Sequence, residues 1–92
     1  MIRSFRSRPL RRYSNEGDRS RLSIQNLRRL DRILERLEAA VDAEDMNVPG
    51  WLFHALKGKM AGRYAVDASG NWRVAFSWDE GDAVDVDLED YH

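Results

Sequence analysis

Three consecutive residues at the end of this 92-residue chain, Asp90, Tyr91 and His92, set a carboxylate, a phenol and an imidazole side by side. There is one other histidine, His54, and Lys57 and Arg73 lie in the same half of the sequence. Together these types supply what metal-free cleavage of a phosphodiester needs. A base must take the 2′-OH proton, cations must sit beside the non-bridging oxygens where charge builds up, and an acid must protonate the departing 5′-oxygen. Imidazole is the side-chain type that titrates near neutral pH, so His54 and His92 are candidates for base and acid, in either order. Arg73 suits a phosphate through its planar fork of donors, Lys57 as a point charge. Asp90 is suited to orienting or biasing a histidine or to assisting proton transfer, and Tyr91 to bonding the phosphate or stacking on a base.

Each of these residues also has a plainer reading. His54 shares strand parity with Leu52 and Leu56, and a lone histidine there is more often a satisfied, partly buried side chain than a catalyst. Arg73 alternates with Trp72, Val74 and Phe76, so it points away from their apolar face, as either a site residue or a solvated arginine would. Asn71 follows a glycine and reads first as a turn residue and only second as an RNA contact. Terminal residues fray unless tied down, so Tyr91 and His92 need an anchor, which strand pairing through Asp90 would provide.

The elements that must hold these residues follow from periodicity. Ile2 to Phe5 is expected as a short opening strand, and Pro9 suits the first turn of a helix running to about Asn15. Asn15 to Ser20 reads as a connection. From an N-cap expected at Ser23, Leu27, Leu30, Leu34, Leu37 and Val41 recur at spacings of three and four, the apolar seam of an amphipathic surface helix. That seam is too short for a coiled coil. Asp42 to Gly50 loses the period, and Pro49-Gly50 marks a turn. Period two then takes over. Leu52 to Leu56 and Arg63 to Ala68 are expected strands separated by the loop Lys57 to Gly62. Trp72, Val74, Phe76 and Trp78 form one alternating face, and Val84, Val86 and Leu88 another. Ser69-Gly70-Asn71 and Asp79-Glu80-Gly81-Asp82 are expected hairpin turns. The result is an α+β domain spanning residues 1–92, an N-terminal strand and two helices packed on one face of a mostly antiparallel sheet.

Composition bounds the rest. With 42% hydrophobic and 34% charged residues, the chain fits one small core. Without cysteine, disulfides, thiolate chemistry and cysteine-based zinc sites are excluded. The N-terminus lacks the apolar stretch of a signal peptide, and no apolar run approaches the ~20 residues of a membrane span, so the cytoplasm is the expected location. Net charge is only −1, but it is segregated. Residues 1–36 carry eleven arginines against four acids, whereas residues 37–92 carry four cations against twelve acids. Arginines bind phosphate bidentately and stack on bases, which makes Arg3, Arg6, Arg8, Arg11 and Arg12 candidates for RNA or ribosome contact. A solvated helical surface explains the same charges about as well. Asp85, Asp87 and Glu89 would repel phosphate; they are expected on solvent, on an arginine of the helical half, or on a partner. A Mg²⁺ or Ca²⁺ site there is disfavoured, because alternate strand positions lie in a row and not around a point.

The ordered set His54-Ala55-Leu56-Lys57-Gly58, Gly62, Ser69-Gly70-Asn71-Trp72-Arg73-Val74-Ala75-Phe76, Gly81-Asp82-Ala83 and Asp90-Tyr91-His92 resembles the HigB-type toxins of the RelE/ParE superfamily, also called plasmid maintenance killer proteins. The likeness covers nearly the whole chain, including the early basic segment and the connection Glu44 to Gly50. It implies a RelE-like microbial RNase fold and an mRNA endonuclease that cuts within codons on the translating ribosome without a cofactor. It also implies neutralisation by a HigA-type helix-turn-helix antitoxin, with which the toxin represses its own operator DNA. Through the same resemblance His54, Asp90, Tyr91 and His92 are carried over as catalytic, with Lys57 and Arg73 as phosphate ligands. Toxins of this kind are often basic overall, so in this slightly acidic chain ribosome contact is expected through the arginine-rich first third. Two alternatives share the fold: a ParE-like toxin acting on a protein such as gyrase, which needs no paired histidines, and a catalytically inactive regulatory partner.

Overall fold

The computed structural model describes residues 1–90. The chain runs α1 (Arg8–Glu16), α2 (Leu27–Ala39), β1 (His54–Ala55), β2 (Arg63–Ser69), β3 (Trp72–Asp79) and β4 (Asp82–Asp90). The four strands form one antiparallel sheet in the order β1-β2-β3-β4. Ile2 and Phe5 bridge in parallel to Ala83 and Val86, which covers the outer edge of β4. The expected opening strand is therefore present as two isolated bridges. Among the described residues, no helix is long and apolar enough to cross a membrane.

Local chemistry sets the helix ends. Ser7 Oγ accepts from the Leu10 amide at 3.2 Å, Pro9 occupies the first turn of α1, and Gly17 ends it at φ 73°, its amide donating to Tyr13 O at 2.9 Å. In α2 the cap is Asn26, whose Oδ1 accepts from Arg29 N at 3.1 Å, so the helix starts three residues after the expected Ser23. The reason is tertiary: Ile24 is inserted into the core, which holds the preceding residues out of the helix. At the other end Ala40 is extended and Val41, expected on the seam, is 78% exposed. Asp45 stops the helix there, its Oδ2 accepting from the amides of Val41 (2.9 Å) and Asp42 (3.3 Å) to cap the 3₁₀ turn Ala43–Met46.

Leu30, Ile33, Leu34 and Leu37 of α2 pack against Leu10, Met46, Val66, Val74, Phe76 and Val86, which places the core between the helices and one sheet face. Phe53, Tyr64, Phe76 and Trp78 continue it as a row of rings 5.6, 5.8 and 6.3 Å apart. The β3–β4 hairpin turns through Glu80 and Gly81, both at positive φ (48° and 85°) as a type I′ turn requires. Arg3 closes over this turn with ion pairs to Asp79 (2.7 Å) and Asp82 (3.1 Å).

One irregularity changes what the sheet displays. Ala75 pairs with Asp87 but Ser77 pairs with Val84, so β4 carries an extra residue, and Asp85 takes φ 51°. Downstream of this bulge Val86 and Leu88 face the helices. Upstream, Ala83 takes the core position and Val84 is turned to the opposite face, correcting the single alternating row expected for Val84, Val86 and Leu88. Arg63, only 6% exposed, locks the bulge by donating to Asp85 O at 2.8 Å and to Ser77 Oγ at 3.1 Å. Ser4 Oγ accepts from Asp85 N at 2.9 Å on the other side.

Candidate active site

Cross-strand partners share a face, so the register defines which side chains stand on the sheet surface turned away from the helices. On β1 it is His54, opposite Ala65; on β2 Arg63, Ala65 and Asp67; on β3 Arg73, Ala75 and Ser77; on β4 Val84, Asp87 and Glu89. Ala65 and Ala75 are fully buried yet lie outside the core under the helices, forming a small-residue floor beneath the longer side chains.

His54 and Arg73 thus stand on one face. They are two strands and two residues apart, roughly 12 Å between Cα atoms from strand spacing and rise. His54 is exposed, and its Nδ1 lies 2.8 Å from the Leu52 carbonyl oxygen. A carbonyl only accepts, so Nδ1 carries the hydrogen and the neutral ring keeps its lone pair on Nε2. Leu52 reaches this position at φ 52°, a left-handed conformation uncommon for a branched side chain, and is 66% exposed. The expected strand Leu52 to Leu56 is accordingly cut to His54–Ala55. Lys57, two residues past the strand, is exposed and is the N-cap of the 3₁₀ turn Gly58–Met60.

Arg73 is held by Glu89, Nε to Oε1 at 2.8 Å, each side chain 19% exposed. Asp67 faces Arg73 from β2. Sequence reasoning expected the acidic row on solvent, on a helical arginine or on a partner. Glu89 lies instead on the neighbouring strand's Arg73, and the bulge removes Asp85 from the row. Alternation alone could not show this, since it depends on which residues of β3 and β4 are paired. Among the described residues, no group of three His, Cys, Asp or Glu side chains could hold a metal ion.

Asp90 ends β4 opposite Trp72, which gives it the parity of the helix side of the sheet, while its neighbour Glu89 shares the face of Arg73. Tyr91 and His92 lie outside the described residues. Asn71 is exposed in the two-residue turn Gly70-Asn71, beside the strand end that carries Asp90. The arginine candidates Arg3, Arg6, Arg8, Arg11 and Arg12 are all exposed; Arg3 is engaged at the β3–β4 turn and Arg12 lies 3.5 Å from Asp18. A groove of about 940 Å³ runs between the helices and the N-terminal segment, lined by Phe5, Tyr13, Leu27 and Leu34 among others. Among the described candidates, His54, Lys57, Arg73 and Asp90 do not line it.

Burial, and then the neighbouring charge of Glu89, push the Asp87 carboxyl above its ordinary range, against smaller opposing effects that include Arg6 and Arg63. A carboxyl raised on folding favours the folded state while protonated, and that contribution is lost as pH rises through the raised value. Asp87→Asn is therefore expected to be more stable than wild type near pH 7, with the gain shrinking as pH falls through the carboxylate range. Urea midpoints at about pH 7 and about pH 4 test this. A less stable variant at pH 7 would mean that attraction to Arg6 and Arg63 outweighs burial.

An α+β domain with helices on one side of an antiparallel sheet, and a histidine and an arginine on the other, defines a small RelE-like protein. Residues 3–92 match the family described as the RelE-like toxin of the type II toxin-antitoxin system HigB. The chain is similar to the Endoribonuclease HigB of Proteus vulgaris, 30% identical over 92 residues and covering all of both chains. It is also similar to Toxin HigB-1 of Vibrio cholerae serotype O1, 31% identical over 93 residues, covering 97% of this chain and 96% of that one. The chain belongs to the HigB-like toxin family.

Proposed function

We propose that this chain is an endoribonuclease that cleaves mRNA within codons on the ribosome by metal-independent acid/base chemistry. The observation that carries the reading is that the register sets His54 and Arg73 on one open sheet face, with an exposed Lys57 two residues past the end of β1. The name of the Proteus vulgaris relative, Endoribonuclease HigB, supports the endoribonuclease part of this reading.

In this mechanism Arg73 and Lys57 hold the scissile phosphate and stabilise the charge that develops on its non-bridging oxygens. His54 Nε2, pointed by the Leu52 carbonyl, exchanges a proton with the 2′-oxygen or the 5′-oxygen, and His92 serves the other. Tyr91 bonds the phosphate or stacks on a base. Asp90, which pairs with Trp72 at the end of β4, assists proton transfer next to the terminal pair in sequence. Attack of the 2′-oxygen on phosphorus breaks the bond to the 5′-oxygen, so one proton is removed and one delivered. Exposed Arg6, Arg8 and Arg11, with Asn71 at the strand end, contribute RNA and ribosome contact. A HigA-type helix-turn-helix antitoxin neutralises the toxin, and the complex represses its operator in the cytoplasm.

The test programs ribosomes with a defined mRNA, adds wild-type protein or His92→Ala, and maps cut ends by primer extension, with free mRNA as control. Cuts in the A-site codon that require ribosomes and vanish in the variant are expected. No cleavage by folded wild-type protein, or full cleavage by the variant, would overturn the reading.

A further inference from the structure

We propose that Glu89 is the positioning residue for Arg73 and the counter-charge that sets how strongly Arg73 takes a phosphate. This rests on the reading of the open face as a phosphodiester site. Glu89 and Arg73 are direct partners across β3 and β4, joined at 2.8 Å, and each is about four-fifths buried.

The geometry has a chemical consequence. Nε lies on the stem side of the guanidinium, so a carboxylate bound there fixes the plane of the group. A flexible four-torsion side chain is thereby held in one direction, toward β4. Stability is a poor explanation for such a pair. Replacing a desolvated ion pair by apolar residues of similar volume is often neutral or stabilising, and neighbouring strand positions here use alanine and serine. The pair also adds negative charge where a polyanion is to bind, beside Asp87 and across from Asp67. Glu89 thus trades affinity for orientation. It weakens the bare attraction between Arg73 and phosphate and keeps the donor fork aimed.

Two substitutions separate these parts. Glu89→Gln keeps an oxygen acceptor for Nε–H and removes the charge. It is expected to bind a fluorescent, non-cleavable 2′-deoxy oligonucleotide roughly two- to fivefold more tightly, the size of a partly screened charge contact. Its turnover on ribosome-bound mRNA is expected to stay near wild type. Glu89→Ala removes the acceptor as well, and its turnover is expected to fall roughly tenfold to a hundredfold through misplacement of Arg73. Urea midpoints establish that both variants are folded at the assay temperature. A merely structural glutamate would lower binding and turnover together in proportion to lost stability, and that result overturns the proposal. So do two variants within twofold of wild type in both assays. If wild-type protein itself fails to cleave with ribosomes present, the functional reading fails. The role of Glu89 is then decided by oligonucleotide affinity and by hydrogen exchange of the Arg73 Nε–H, which should be slow in wild type and in Glu89→Gln and fast in Glu89→Ala.

Discussion

Arg73→Ala is expected to lower cleavage of ribosome-bound mRNA by roughly 10²- to 10³-fold, the loss typical of removing one donor from a preorganised charge-stabilising site. Arg73 stands on the open face with His54, its guanidinium held by Glu89 and its backbone fixed between β2 and β4. Arg73→Lys should recover little of this, because an ammonium lacks the planar fork. The substitution has a second effect that must be separated from the first. Without the guanidinium, Glu89 is left partly buried beside Asp87 and Asp67, so some stability is lost. Removing Glu89 as well should restore the urea midpoint without restoring cleavage. A double variant that regains activity with stability would show that Arg73 serves the fold and not the phosphate.

The largest loss of stability is expected at Phe76. Its ring is fully buried, stacks on Tyr64 at 5.8 Å and meets Trp78 edge-on at 6.3 Å, and it belongs to the core under the helices. Phe76→Ala should cost about 3–5 kcal/mol, from lost transfer energy and the cavity left among rigid neighbours. That is a large share of the roughly 5–15 kcal/mol typical of a domain. Urea denaturation of wild type and variant measures it, and a loss below about 1 kcal/mol would mean that the row of rings closes over the gap. The position matters for function because β3 presents Phe76 to one side and Arg73, Ala75 and Ser77 to the other. Loosening the core face would loosen the strand that carries the site.

Both expectations depend on β3, whose alternation was plain in the sequence: Trp72, Val74 and Phe76 face the core and Arg73 faces away. The two hairpin turns and the main helix were legible for the same reason, since turn residues and apolar spacing act over a few neighbours. Legibility failed wherever a distant contact overruled a local preference. Ile24 entering the core moved the start of α2 from Ser23 to Asn26, and the cap supplied by Asp45 ended the helix before Val41. Ile33 and Met46, outside the expected seam, are fully buried because the helix presents a wider stripe and the 3₁₀ turn folds back beneath it.

The candidate site divides in the same way. From the sequence alone came the chemical inventory, His54, Lys57, Arg73 and the terminal Asp90-Tyr91-His92, together with the family likeness, because residue types and their order are written in the chain. Only the tertiary structure set His54 and Arg73 on one face, put Leu52 in a left-handed turn that points the imidazole, and gave Glu89 to Arg73. Those relations depend on strand register and on a bulge at Asp85, locked by Arg63 and Ser4 from distant parts of the chain. A one-residue change of register turns every later side chain to the opposite face, so which charges meet is a property of the pairing of strands and not of any strand's own sequence.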